Sequence, residues 1–368
     1  MILTGVRTIL VFLAALLVSV EAAAAQPAVP RYAVVDRMPG PSAVVAWDYA
    51  TVDARIQRLF LATYLSGASR SLRGEILEFD LKSKRLLPVR INDAMPHQVV
   101  ILGDGVGAAA DGARHAVLFF EERSGTVLAS VSTGKPLRRD PFARNPDSLL
   151  FDASAHLLIA VNHDSGELVL ISVARRAVVG VVNIGGALEA VASAPKGTIF
   201  VNVANKAEIA VVDLQKRKVV GRIRMGGCEE PTGIAYDAAR RLIVSVCSNG
   251  FAKFVDAYSG SVVASIPVGK GADGVMFDRR RQLVFIAGGD SGTLSVIHIG
   301  KRHHVVLSQT LTVPTGTRLG VLDPTNGQLY LPVARFNENI PPLKLSGAPP
   351  VPRPKSGSFG LLVVASRP

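Results

Sequence analysis

Short apolar runs that end in an acid, cross four polar residues and resume as a second apolar run recur along this chain. The clearest copies are PDSLLFDASAHLLIAV from Pro146, PTGIAYDAARRLIVSV from Pro231 and ADGVMFDRRRQLVFIA from Ala272. Their first runs end at Asp152, Asp237 and Asp278, and weaker copies place Asp53, Asp111, Ser193 and Asp323 in the same slot. The seven positions are separated by 58, 41, 41, 44, 41 and 45 residues. Repeats of this length with four short strands each predict an all-β, seven-bladed β-propeller with four-stranded antiparallel blades. The long first interval is assigned to the polar insert SGASRSLRG, from Ser66 to Gly74.

Within a unit all four strands can be read. The fifth runs GIAYD, LIVSVC, FAKFVDA and VVASIPV, with Ser259-Gly260 as the turn between the last two. The third repeats the order as LLFD, LLIAVN, ELVLISV and AVVGVVNI. The innermost strand of each blade is expected to be the most continuously apolar. The seventh unit ends one strand short after GLLVVAS from Gly360, whereas RYAVVDRM from Arg31 precedes the first unit and belongs to no other blade. That N-terminal strand is expected to complete the last blade, closing the ring and removing a bare strand edge. Residues 337–357, NENIPPLKLSGAPPVPRPKSG, hold too much proline for a sheet interior and are read as a loop within the last blade. A partner arm or a cap over one rim is the functional reading of that loop.

The first 25 residues read as an export signal: Arg7, an apolar run from Thr8 to Val20, then Ala23-Ala24-Ala25 before Gln26. The expected mature chain is a single propeller domain, residues 26–368, periplasmic or secreted and monomeric. An uncleaved anchor is the alternative. No later apolar run reaches membrane-spanning length. The net charge is +12 and is unchanged by loss of Arg7 and Glu21. Such a surface attracts acidic partners, nucleic acid among them, yet no helix-turn-helix, zinc finger or aromatic-interleaved basic strip accompanies it. Cys228 and Cys247 are the two cysteines. In an exported chain they are expected to form one disulfide, closing a loop of about 20 residues and contributing about 3 kcal/mol; two free buried thiols are the alternative.

EEPTGIAYDAARRLIVSVCSN, VDAYSGSVVASIPVGKGADGVMFD, SGTLSVI and LDPTNGQLYLPVARF, with WDYATVDARIQRLFLAT at the start and GLLVV at the end, resemble the YncE-type, YVTN-repeat seven-bladed propellers. The resemblance implies a bacterial periplasmic or secreted propeller of largely undefined role. Members have been linked to nucleic-acid binding and to cell-surface or metal-related processes, without a common catalytic motif. Leu188-Glu189 and Ser193 replace the Pro-Glu pair and terminal Asp usual in the fourth blade, and GVGAAADGARHAVLFFEERSG matches poorly in the second.

In a propeller the loops entering the first strand and those joining the second and third strands open on one face around the central channel. Loops held by a rigid scaffold commonly carry binding. The first set offers Asp104, Asp147, Glu189, Glu230, Thr232, Asp273 and Arg318; the second offers Asn162, His163, Asp164, Asn205, Asn249, Asp290 and Arg335. Asp147, His163, Glu189, Glu230, Asp273, Asp290 and Arg318 form the candidate ligand set. Oxygen ligands converging on the axis would suit a divalent cation such as calcium; the competing reading is that each acid caps its own turn. No HExxH, CxxC, GxSxG, P-loop or dinucleotide fingerprint occurs, so no catalytic residue and no cofactor is assigned. His303-His304, beside Lys301-Arg302, reads as a solvated turn. Three functions follow: a binding or scaffold propeller with a protein or small-molecule partner, a lactonase-like or metal-dependent hydrolase at the channel face, and nucleic-acid binding through the basic surface.

Overall fold

The computed structural model describes residues 29–66, 72–88, 91–135, 144–336 and 353–367. The signal segment, the tip of the Ser66–Gly74 insert and most of the Pro-rich loop lie outside them. Seven antiparallel sheets follow one another around a ring. Blades three to six each use four consecutive strands. In blade five these are Pro231–Asp237, Leu242–Cys247, Phe251–Asp256 and Val262–Pro267, called a to d from the channel outward. Blade one has a long b–c hairpin, Arg58–Ser66 with Leu72–Asp80, and its outer edge is split between Arg85–Leu86 and Ile91–Ala94.

The last blade is closed by the N-terminal strand. Arg31–Pro39 pairs antiparallel with Gly360–Arg367, from Arg31 opposite Arg367 to Pro39 opposite Gly360. Tyr32 locks this strand to blade six: its backbone N–H donates to Gln309 Oε1 at 2.8 Å, and Gln309 Nε2 donates to its carbonyl at 2.9 Å. The buried apolar residues form seven clusters, one between each pair of neighbouring blades. Tyr32 belongs to the cluster between blades six and seven, and Met38 to the one between blades seven and one. The closing strand therefore packs into both seams of the blade it completes. No helix among the described residues is long and apolar enough to cross a membrane.

Two sequence expectations are corrected. The most deeply buried strands are the middle ones, not the innermost: Leu242–Cys247 and Leu283–Gly288 are buried throughout, whereas inner strands such as Ser148–Asp152 are only partly so. A middle strand is sandwiched between neighbouring blades on both faces, while an inner strand has one edge on the channel. In blade two, Asp111 ends strand b (Val106–Asp111), not strand a (Pro96–Gly103). The true a–b turn is Gly103-Asp104-Gly105, left-handed at all three residues, which places Asp104 on the face opposite the d–a loops. With Asp104 in the slot, the first two intervals become 51 and 48 residues. The misreading has a physical cause. Asp111 caps the b–c turn with the chemistry used elsewhere at a–b turns, accepting the Arg114 N–H at 3.2 Å and pairing with its guanidinium at 2.6 Å.

Candidate functional site

The channel face is built where strand a begins. In blades one, two and four the ladder breaks at a β-bulge just after Trp47, Pro96 and Leu188, and such bulges re-aim side chains. The next residues are Asp48, His97 and Glu189. Blade three delivers Asp147 immediately before Ser148–Asp152, and blade six delivers Asp273 from its d–a loop. Arg144 and Arg318 enter from the loops leading to blades three and seven. Together with Tyr49, Tyr64 and His163, these side chains form one polar group at the channel mouth.

Its contacts run between blades. His97 Nδ1 lies 2.9 Å from Asp48 Oδ2, 3.1 Å from the Tyr64 hydroxyl and 3.5 Å from Asp147 Oδ1. His163 Nδ1 donates to the Leu188 carbonyl at 2.8 Å, with Glu189 Oε1 at 3.1 Å, and its Nε2 meets the Arg144 guanidinium. Arg144 also lies 3.3 Å from Glu189. Arg318 Nε pairs with Asp273 at 3.0 Å, and its Nη2 donates to the Trp47 carbonyl at 3.3 Å.

Burial and crowding shift the titrating groups. Asp147 is pushed up to about 7, by burial first and then by Glu189 and Asp48, against the pull of His97 and Arg144. Asp273 rises to about 6 by burial, with Glu189 and Asp48 adding to it and Arg318 opposing. Burial alone would lower His97, but its bond to Asp48 and the charge of Asp147 leave it above the usual imidazole value. Tyr49 is raised by burial and by Asp273, Asp147, Glu189 and Asp48, so its phenol stays protonated among all four acids.

Beside this group, at the meeting of blades six, seven and one, opens a cleft of about 720 Å³ lined by Trp47, Asp290, Thr315, Arg318, Arg335 and Phe336. The Trp47 and Phe336 rings stack with centroids 6.2 Å apart and planes inclined by 26°. Gly316, at φ +85°, is required there, because a Cβ would strike the Phe336 ring. Arg335 is exposed, and the Arg318 side chain is half open to solvent.

Of the candidate residues, Asp147, His163, Glu189, Asp273 and Arg318 come together in the polar group, and Asp290 with Arg318 lines the cleft. Glu230 stands exposed on the blade-five rim, apart from both. Thr232, set aside from that set, ties blade five to the Ala272 carbonyl at 3.0 Å. The disulfide joins Cys228 and Cys247, whose Cα atoms are 5.4 Å apart, pinning the same rim. His303-His304 lies at the end of the short turn between strands c and d of blade six. Sequence reasoning did not select Asp48, Tyr49, Tyr64, His97 or Arg144. Asp48 had a readable signal: it stands five residues before Asp53, as Asp147, Asp273 and Arg318 stand five before Asp152, Asp278 and Asp323.

No protein-family description matches the chain, and no curated protein sequence matches it. Solved structures do. It is similar to the RRP9 WD40 repeats (TM-score 0.70, 14% identity, 92% of this chain and 99% of that one). It is also similar to a chain of Kuenenia stuttgartiensis hydrazine synthase (0.64, 12%, 81% and 94%) and to a chain of a mitotic checkpoint complex (0.62, 12%, 89% and 96%). At these identities the likeness shows the fold alone: a β-propeller of the WD40-like kind.

Proposed function

We propose that this chain is an exported, periplasmic binding propeller of the YVTN-repeat type, and that its channel-face cleft takes a small organic anion with an aromatic or apolar body. The cleft carries the proposal. It has the size of a small-molecule site and sets a stacked Trp47–Phe336 wall beside the guanidinium groups of Arg318 and Arg335. Aromatic faces take the body of such a ligand, and guanidinium groups take a carboxylate or phosphate. Asp273 and Asp290 balance part of the positive charge, which favours a singly charged anion over a polyanion such as nucleic acid.

The molecule supplies its own reporter, because Trp47 is the single tryptophan. Titration with benzoate should change its fluorescence saturably, and neutral benzamide should bind about tenfold more weakly, the worth of one charge-assisted hydrogen bond. Arg335→Gln should weaken benzoate to a similar degree. Equal binding of benzoate and benzamide, or no saturable change with either, would overturn this reading. For export, the mature protein recovered from a periplasmic extract should begin at Gln26.

A hydrolase acting at the same face is the second reading. It is favoured by one observation, Asp147 held at about 7 beside His97, which is where a general acid or base works best. Lactone hydrolysis that disappears in Asp147→Asn would establish it.

A further inference from the structure

Four acids meet at the channel mouth, but their partners are unequal. Arg144 reaches Glu189, and Arg318 reaches Asp273. Asp48 and Asp147 share His97. The buried His97 is itself over-subscribed: one nitrogen, Nδ1, has three oxygens within 3.5 Å, from Asp48, Tyr64 and Asp147. A ring nitrogen carries one proton or one lone pair, so it can serve one of those oxygens well and not three. The other nitrogen, Nε2, is buried without a hydrogen-bond partner among the described residues.

A cation removes the conflict. Ligands about 2.1 Å from a metal stand about 3 to 3.4 Å apart in octahedral or tetrahedral arrangements. The Nδ1 separations from Asp48 and Asp147 are 2.9 and 3.5 Å, and one ligand atom from each of the three residues lies within 4.8 Å of the others. A second trio, Asp147, His163 and Glu189, meets the same distance test but is already taken. His163 Nδ1 donates to a carbonyl, and Arg144 lies against both Nε2 and Glu189, so a second cation would face a guanidinium.

We infer that the channel mouth holds one divalent first-row transition metal, bound by Asp48, His97 and Asp147, with the Tyr64 hydroxyl beside it. One imidazole and two carboxylates suit zinc, manganese or cobalt; calcium prefers an all-oxygen shell. This departs from the calcium-type ring expected of the channel face, and it does not depend on the anion cleft.

The test uses the full chain stripped with EDTA and titrated calorimetrically with ZnCl2, with CaCl2 as the comparison and CoCl2 for the visible spectrum. Zinc should bind one to one, and cobalt should give the ligand-field bands of a mixed nitrogen–oxygen site. Calcium should bind at least about tenfold more weakly. Asp147→Asn and Asp48→Asn should each weaken zinc by about tenfold or more, with melting curves confirming that both fold. The double variant His303→Ala, His304→Ala removes the histidine pair of the blade-six turn, remote from the channel mouth, and should leave zinc binding unchanged. Arg335→Gln, which tests the cleft, should also bind zinc as the parent does. The inference falls if zinc does not bind, if calcium binds as well as zinc, or if binding survives the Asp substitutions and is lost with His303 and His304.

Discussion

On the face formed by the a–b turns, Asp53, Asp152, Asp237, Asp278 and Asp323 each accept the backbone N–H two or three residues ahead, at 2.9 to 3.0 Å. Three of them also pair with an arginine in the same turn, Arg55, Arg240 or Arg281. On the channel face, Asp48, Asp147, Glu189 and Asp273 meet His97, His163, Arg144 and Arg318 instead, and two of these acids are pushed up to about 6 and 7. The residue type is shared and the physical roles differ. A turn acid caps its own turn through partners two or three residues away, whereas the acids at the channel entrance, although Asp48, Asp147 and Asp273 share one offset, are held by partners remote in sequence. The reach of the partner, rather than recurrence, therefore separates the acids that build this ring from those available for binding.

Substitutions can break that separation. Asp278→Ala should have the largest effect: loss of the turn cap and of its 2.7 Å ion pair should lower stability by about 2 kcal/mol, read as a lower urea midpoint with unchanged zinc and benzoate binding. Glu122 is the exception on the turn face. Its Oε1 has no hydrogen-bond partner among the described residues, and burial, then Asp53, push its carboxyl up to about 7. A raised folded-state value gives stability that is full below the ordinary value of 4.5 and is lost as pH rises through about 7. Glu122→Gln should therefore gain about 1 kcal/mol near pH 8, after discounting for Arg55 and nearby solvent, and flatten the stability curve between those limits. Asp273→Asn should shift stability by less than about 1 kcal/mol, since relief of burial offsets the lost ion pair, yet it should tighten benzoate by freeing Arg318. Glu230→Ala, on the exposed rim, should stay within about 0.5 kcal/mol. A large loss from Asp273→Asn with none from Asp278→Ala would reverse the assignment of the two faces.

The ring itself was legible because each blade repeats one requirement, a buried hairpin with a capped turn, and repetition is visible without coordinates. The closing strand was legible for the complementary reason, since Arg31 to Met38 had no other blade to join. The site was only half legible. Asp147, Asp273 and Arg318 stand five residues before their turn acids, and Asp48 shares that offset, whereas Glu189 stands four before Ser193. His97 was hidden because Asp111 imitates a turn acid and shifted the register of blade two. Tyr64 and Arg144 carry no periodic mark; only the folded ring brings them beside His97 and His163.

The pairing of Arg31 with Arg367 joins positions 336 residues apart, so Arg31–Pro39 waits through the synthesis of six blades for its partner strand. Until Gly360–Arg367 arrives, Tyr32 and Met38 have no seam to fill, and both ends of the chain carry an unsatisfied strand edge. Contacts of such separation form slowly. The assembling chain thus has a built-in delay: it stays an open arc until its closing strands meet, and only then becomes a ring. Trp47, packed in the seam between the last blade and the first, would mark the moment of closure.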